Sequence, residues 1–305
     1  MKTDEKGNIR THKPKWLRRS LPSGPEYGRM KNLIKNNKLA TVCQEAQCPN
    51  QFECFGKGTA TFMILGERCT RNCGFCAVSH KPLGPPDPDE PLRVAEAVAS
   101  LKLKFAVITS VTRDDLDDGG ASHFVETIHQ IHTKSEGTRV EVLIPDLQGN
   151  WDALAAILEA KPEVLNHNME TVSRLYPRVR PEAVYTRSLD LLQKSKEFDS
   201  TIPTKSGLMV GLGETFEELR TAMNNLIDHG CDILTVGQYL QPSSSHLPVE
   251  RFVHPDEFEK LAQEAKSLGF KGVACSPTVR SSFEAGILYD EVVTTRGTDN
   301  LIRHN

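Results

Sequence analysis

Six of the eight cysteines in this 305-residue chain lie between Cys43 and Cys76, in two groups of three. Cys69, Cys73 and Cys76 are spaced C-x3-C-x2-C, with Phe75 one residue before the last. Each thiolate on such a loop can hold one iron of a four-iron cluster, which normally takes four cysteine ligands. Three cysteines therefore leave one iron open to a ligand that is not protein. A zinc site would draw four ligands from two C-x2-4-C pairs, a form the x3-x2 triplet does not have. The other group, Cys43, Cys48 and Cys54, is spaced C-x4-C-x5-C within VCQEAQCPNQFECFG. Clustered thiols seldom serve packing alone, and Pro49 and Gly56 make this stretch an irregular wrap.

Something must position these thiols, and the chain from Thr61 onward alternates accordingly. Apolar runs at 61–65, 105–111, 140–145, 164–168, 207–212 and 233–240 read as strands. Between them lie helical patterns, such as Val94, Ala95, Val98 and Leu101, or Phe124, Ile128 and Ile131. Asn150 opens one helix, and Thr215 with Glu218 forms a capping box at the start of another. Continuous apolar strands alternating with amphipathic helices predict a parallel sheet with helices outside. About six β-α units suggest an α/β fold of the partial (β/α)6 barrel type, with a flavodoxin-like doubly wound sheet as the alternative. A short helix over 27–36 precedes the second triplet. The basic, proline-containing first 25 residues read as an extended arm, with Trp16 packed onto the body as its one anchor, or as a frayed terminus.

Barrel chemistry sits at the carboxyl ends of strands, and polar clusters follow strand after strand. The 69–76 loop follows the first, and Asp114 to Gly120 (DDLDDGG) the second. Asn166 to Glu170 ends the fourth, Gly211 to Glu214 the fifth, and Gln238 to Pro242 the sixth. Any one of these is ordinary turn chemistry; their shared location suggests a lined mouth.

The 69–76 loop resembles the signature of the radical S-adenosylmethionine (SAM) enzymes. With both triplets, DDLDDGG, NHNMET, GLMVGLGE, GQYLQP and VRSSF, the chain from Trp16 to Phe283 resembles the lipoyl synthase family. The arm before Trp16 and the tail after Phe283 carry no motif of that family. The resemblance implies a radical SAM partial barrel over 59–275. An N-terminal arm with an auxiliary-cluster segment occupies 1–58, and a C-terminal tail 276–305. It implies two [4Fe–4S] clusters, one on Cys69, Cys73 and Cys76 that chelates SAM and splits it to a 5′-deoxyadenosyl radical. The other, auxiliary cluster would sit on Cys43, Cys48, Cys54 and Ser282. By sequence alone Ser281 and Ser282 are unremarkable hydroxyls; the ligand role of Ser282 comes only from the resemblance. An alkoxide is harder than a thiolate and less suited to iron–sulfur chemistry, so such a cluster would have one labile corner.

The implied reaction is insertion of two sulfurs, at C6 and C8 of an octanoyl group on a lysine of a lipoyl carrier domain. The auxiliary cluster would be the sulfur donor, and two SAM molecules would be used per lipoyl group. For SAM, the resemblance points to Asp118, Gly119 and Gly120 at the methionine part, Asn168 and Glu170 at the ribose, and Gly211, Gly213 and Glu214 beside the adenosine. Arg280 reads either as an anchor for a carboxylate or the Ser282 loop, or as an ordinary surface arginine. Implied partners are an octanoylated carrier, an electron donor such as ferredoxin or flavodoxin, and an iron–sulfur carrier for cluster repair.

Composition fits a monomeric enzyme in a reducing compartment, the cytoplasm. Net charge is −3 and no apolar run reaches the 18 residues of a membrane span, so neither nucleic acid nor membrane is an expected partner. No apolar h-region follows Met1, and metal-binding thiols need reducing conditions. Cys231 and Cys275 read as small buried hydrophobes.

Overall fold

The computed structural model describes residues 13–18, 25–57, 59–80 and 83–303. Expectations resting on residues 1–12 and 19–24 lie outside that set. In chain order the elements are α1 (Pro25–Asn36), β1 (Ala40–Thr41), α2 (Val42–Glu45), α3 (Gln51–Gly56) and β2 (Thr61–Ile64). Next come α4 (Glu90–Ser100), β3 (Phe105–Ser110), α5 (Ala121–Lys134), β4 (Arg139–Leu143), α6 (Trp151–Glu159) and β5 (Val164–Asn166). The last part comprises α7 (Tyr176–Val179), α8 (Tyr185–Phe198), β6 (Thr204–Val210), α9 (Phe216–Asp228), β7 (Ile233–Gln238), α10 (Pro255–Leu268), β8 (Gly272–Ser276) and α11 (Ala285–Arg303).

All eight strands form one sheet in sequence order, with β1 and β8 as its edges. Strands β2 to β8 are parallel, and β1 runs antiparallel to β2. The six expected β-α units are therefore present, with two strands beyond them. The stretch 272–276 joins as a seventh parallel strand, and Ala40–Thr41 extends the other edge. These additions matter because each leads directly to a part of the site: β1 runs into Cys43, and β8 runs toward the Arg-Ser-Ser segment.

Local signals act as the sequence suggests. Asn150 Oδ1 accepts from Ala153 N at 3.1 Å to start α6. The Thr215 and Glu218 side chains cap α9 reciprocally, at 3.2 and 2.8 Å. Gly269, at φ +102°, ends α10 in the left-handed region that a side chain would resist. In the arm, the anchor is Leu17, which is fully buried. Trp16 lies edge-on to His254 at 5.1 Å but stays 40% exposed.

Successive strand residues alternate between two faces. Thr61 and Met63, Phe105, Val107 and Thr109, Gly207 and Met209, and Thr235 and Gly237 line an interior cavity. Their neighbours Phe62, Ile64, Ala106, Ile108, Leu234 and Val236 are buried in the main core, against the helix layer. At the amino end, α11 packs on β8 and β3 and reaches β4 through Arg139. Tyr289 packs on Phe105 at 5.9 Å, and Arg139 lies over both rings while pairing with Asp290.

One part of the interior is ionic. Glu141 of β4 and Lys205 of β6 are both 0% exposed, and Lys205 Nζ donates to both carboxylate oxygens at 3.0 Å. Asn166 of β5, between them, donates to Glu141 Oε1 at 2.8 Å. Removing one member of such a pair strands the other charge, at a cost of about 3–5 kcal/mol. Lys205→Met is expected to lower unfolding free energy by that amount in denaturant melts. The Glu141→Gln/Lys205→Met double variant is expected to regain much of it, and a double variant less stable than Lys205→Met contradicts this view of the pair.

Candidate functional site

Both cysteine triplets face one continuous cavity of about 780 Å³ that runs along the barrel interior. The 69–76 loop leaves the carboxyl end of β2. It is pinned by backbone bonds from Cys69 N to Ser79 O at 2.9 Å and from Cys76 N to Cys73 O at 3.1 Å. Gly74 fits beneath Leu247, where an added Cβ would come within 2.9 Å of that side chain. Arg71, buried between the first two cysteines, forks onto Asp114 at 2.7 and 2.9 Å and reaches Asp146 at 2.5 Å. Burial disfavours the Asp146 charge, but the hydrogen bonds and charge of Arg71 outweigh it and hold that carboxyl down at about 2. This fork ties the cysteine loop to the ends of β3 and β4, and so fixes its shape from below.

The thiols sit where their charge is costly. Burial pushes Cys73 up to about 11 and Cys76 up to about 12, and in the other triplet Cys43 up to about 12 and Cys54 up to about 11. A metal would have to displace those protons. Backbone N–H groups already point at sulfur: Arg71 N at 3.4 Å and Thr112 N at 3.3 Å from Cys69 Sγ. Cys76 and Cys43 receive similar bonds at Val78 and Thr61. Such bonds to sulfur tune iron–sulfur centres. Among the described residues no three His, Cys, Asp or Glu side chains converge as ligands of one ion would; in a four-iron cluster each thiolate takes its own iron. Cys69, Cys73 and Cys76 therefore could hold a [4Fe–4S] cluster with one open corner.

The other triplet lies at the opposite end of β2, where Cys43 neighbours its first residue, Thr61. The Cys43, Cys48 and Cys54 thiols sense one another's charge, and all three share the cavity wall with Ser282. The two chain ends are stitched together here. Asn50 Nδ2, buried, donates to Thr278 O at 2.6 Å, and Lys57 sits close enough to Glu284 to feel its charge. Arg280 Nη1 donates to Val279 O at 2.6 Å, within its own loop, and lies near Lys13 of the arm. Cys231, by contrast, is buried away from the cavity and donates to Ile233 O at 3.3 Å. Cys275 too lies off the cavity, and burial pushes it up to about 12.

The residues expected to meet SAM separate into two sets. Asn168 and Glu170 line the cavity near the 69–76 loop. Glu170 sits at φ +65°, a left-handed conformation that a glutamate adopts only when its surroundings demand it. Confinement pushes its carboxyl up, against the pull of Arg180. Asn168 Nδ2 donates to Glu170 Oε1 at 3.0 Å, while its Oδ1 is buried without a partner.

Asp118, Gly119, Gly120, Gly211, Gly213 and Glu214 do not line this cavity. Their polar groups are used locally. Asp118 caps α5, accepting from Gly120 N and Ser122 N at 2.8 Å. Glu214 closes its own turn onto Gly211 N at 2.7 Å and Leu212 N at 2.9 Å.

Sequence reading missed two wall elements. Ser110, the last residue of β3, and Val111 and Thr112 after it line the cavity, and Ser110 Oγ is buried without a partner. Arg180, also buried, donates from Nη1 to Asn168 O at 2.8 Å and Met169 O at 3.2 Å, but its Nε has no partner. The position of Ser110 at a strand's carboxyl end was a usable signal; Arg180 had none.

Residues 63–226 match the model of the radical SAM superfamily, and residues 1–48 match that of the N-terminal domain of lipoyl synthase. The second match includes the arm before Trp16, where no family motif was expected. The curated lipoyl synthase of Desulfotalea psychrophila is 58% identical over 94% of this chain and 96% of its own length. That of Alkaliphilus metalliredigens is 56% identical over 90% of this chain and 94% of its own length. The structure of the FeFe-hydrogenase maturase HydG from Carboxydothermus hydrogenoformans is similar with a TM-score of 0.59 at 17% identity. That likeness covers 76% of this chain and 55% of that one, and concerns the fold alone. Among the described residues no helix is long and apolar enough to cross a membrane.

His167, between Asn166 and Asn168, holds this strand end in place. Nδ1 faces Ile144 O at 2.9 Å, an acceptor only, so Nδ1 carries the proton and Nε2 accepts from Ser188 Oγ at 2.9 Å. Burial, aided by the Arg180 charge, lowers the ring from 6.5 to about 4. The unfolded chain therefore binds the extra proton first, and stability falls as pH drops from 6.5 toward 4. His167→Gln, which cannot titrate, is expected to flatten the stability profile in that window by on the order of 3 kcal/mol. Parallel wild-type and variant profiles in denaturant melts would contradict this.

Proposed function

Because this chain belongs to the lipoyl synthase family of the radical SAM superfamily, we propose that its two cysteine triplets divide the work of sulfur insertion between them. The substrate is an octanoyl group on a lysine of a lipoyl carrier domain, and the product carries sulfur at C6 and C8. The observation that carries this assignment is the single cavity shared by both triplets and Ser282. A substrate chain inside it can reach both ends without leaving the protein.

When bound, the cluster on Cys69, Cys73 and Cys76 supplies the electron that cleaves SAM, and the auxiliary cluster on Cys43, Cys48, Cys54 and Ser282 supplies sulfur. The chain's own residues do the rest. Asn168 and Glu170 offer an amide and a carboxylate to the ribose hydroxyls of SAM. Arg180 fixes the backbone of Asn168 and keeps Nε toward the pocket. The role expected of Asp118, Gly119 and Gly120 passes to Ser110, Val111 and Thr112, which stand on the wall itself. Gly211, Gly213 and Glu214 form an internally satisfied turn behind Gln238, which lines the cavity. Met63, Val107, Leu143 and Met209 provide the apolar middle of the cavity, which suits an alkyl chain and excludes water around reactive species. Arg280 anchors the loop that carries Ser282.

Two SAM molecules are consumed per lipoyl group, one for each carbon–hydrogen bond replaced. The outside partners are the octanoylated carrier, a reductant of the ferredoxin or flavodoxin class, and an iron–sulfur carrier that rebuilds the spent cluster. We take the working form to be a monomer in a reducing compartment such as the cytoplasm.

Cys48→Ala and Ser282→Ala are expected to keep SAM cleavage while losing lipoyl product. Cys48→Ala should carry about half the wild-type iron after anaerobic reconstitution. Cys73→Ala is expected to lose both SAM cleavage and product. Normal lipoyl yield from Cys48→Ala would falsify the division of labour.

A further inference from the structure

Ser281 stands apart from the ligand set, yet it makes a contact that joins the two ends of the cavity. Its Oγ accepts from Asn168 Nδ2 at 3.3 Å, and the same amide donates to Glu170 Oε1 at 3.0 Å. Asn168 belongs to the strand end beside the 69–76 loop, whereas Ser281 immediately precedes Ser282. The amide orientation follows from its neighbours, because the opposite one would set Oδ1 against the Glu170 carboxylate.

Backbone shape makes this contact possible. Gly207 of β6 and Gly237 of β7 both face the cavity, on neighbouring strands. A Cβ at Gly207 would lie 2.8 Å from Asn168 Oδ1, and one at Gly237 would lie 2.1 Å from Val279 O. Two bare strips of backbone thus seat Asn168 and the 279–281 segment inside the sheet. Val279 is buried there, and Thr278 is held from the other side by Asn50. The segment is wedged between the neighbourhood of one triplet and that of the other.

We propose that Ser281 is a positioning residue that couples occupancy of the SAM pocket to the placement of the loop bearing Ser282. The coupling runs through Asn168, whose one amide group serves both Glu170 and Ser281. A ligand that engages Asn168 and Glu170 fixes the amide and thereby holds Ser281. Linkage requires the reverse as well: a docked loop pre-sets Asn168 and tightens SAM binding by the same factor. One neutral hydrogen bond gives a factor of about five. The consequence for the reaction is order. The labile serine corner is held in register while SAM is present and is freer once SAM has left.

This inference rests on Asn168 and Glu170 belonging to the SAM pocket, and its test separates the two. Hydrogen–deuterium exchange is measured on the full chain, anaerobically reconstituted, with and without S-adenosylhomocysteine, alongside SAM affinity and iron content. In wild type, ligand should protect peptides covering both 168–170 and 277–284. In Ser281→Ala, protection should remain at 168–170 and vanish at 277–284, with SAM bound about fivefold more weakly and iron unchanged. Ser281→Thr, which keeps the hydroxyl, should restore both. Protection of 277–284 that survives in Ser281→Ala, or that never appears in wild type while 168–170 is protected, overturns the coupling alone. Loss of iron in Ser281→Ala overturns it too, since the residue would then serve cluster assembly. Absence of protection at 168–170 overturns the pocket assignment along with the coupling.

Discussion

Six thiols enclosed in one barrel interior impose the constraint on which the rest of this structure depends. Burial drives four of them well above the ordinary thiol range, so those four resist ionisation unless a metal shares the charge. A lumen that disfavours charge is also one that suits an alkyl chain and excludes solvent. The same low polarity that makes a bare thiolate costly makes a thiolate-ligated cluster, its charge spread over iron and sulfide, the tolerable form. The walls of the cavity present thiols, backbone N–H groups and a few polar side chains to that space.

The scaffold meets this demand with rigid supports placed just outside the lumen. Arg71 ties the first cysteine loop to Asp114 and Asp146, and His167, locked neutral, holds the end of β5. Below the cavity the Glu141–Lys205 pair fills the interior with charge that is fully matched. The second triplet is held within its own segment by backbone bonds such as Cys48 N to Cys43 O at 3.0 Å and Thr59 N to Cys54 O at 2.9 Å. β1 and β8 extend the two edges of the sheet and bring residues 43–54 and 278–284 to one place. Chain segments about 230 residues apart in sequence meet through the Asn50–Thr278 bond, whose separation is 228 residues.

Most of the barrel was legible in the sequence because its strands are continuous apolar runs and its helices carry plain caps. The six β-α units follow from that period alone. The edge strands were less visible: β1 has two residues, too few for any pattern, and its pairing with β2 is a tertiary fact. Leu17 rather than Trp16 anchors the arm for the same reason, since one short turn does not reveal which side faces the body. The 69–76 spacing pointed to the superfamily whose model matches residues 63–226. Gly119 and Gly120 serve the start of α5, and Gly211 and Gly213 a turn closed by Glu214, whereas the inward glycines that shape the lumen, Gly207 and Gly237, sit inside strands where only the three-dimensional pairing shows their purpose. Arg180 lay beyond reach because its role depends on folding back from the α7 segment onto the end of β5.

The central claim is that the cluster held by Cys43, Cys48, Cys54 and Ser282 is consumed as reactant. The most direct test labels it. Protein reconstituted with ³⁴S-sulfide is given an octanoylated carrier, SAM and reductant, with unlabelled sulfur in the medium, and the first-turnover product is analysed by mass. The account predicts lipoyl groups carrying two ³⁴S atoms, no more than one per protein chain, with iron released from the auxiliary site in step. Product carrying unlabelled sulfur, or many turnovers with the cluster's label intact, would contradict it.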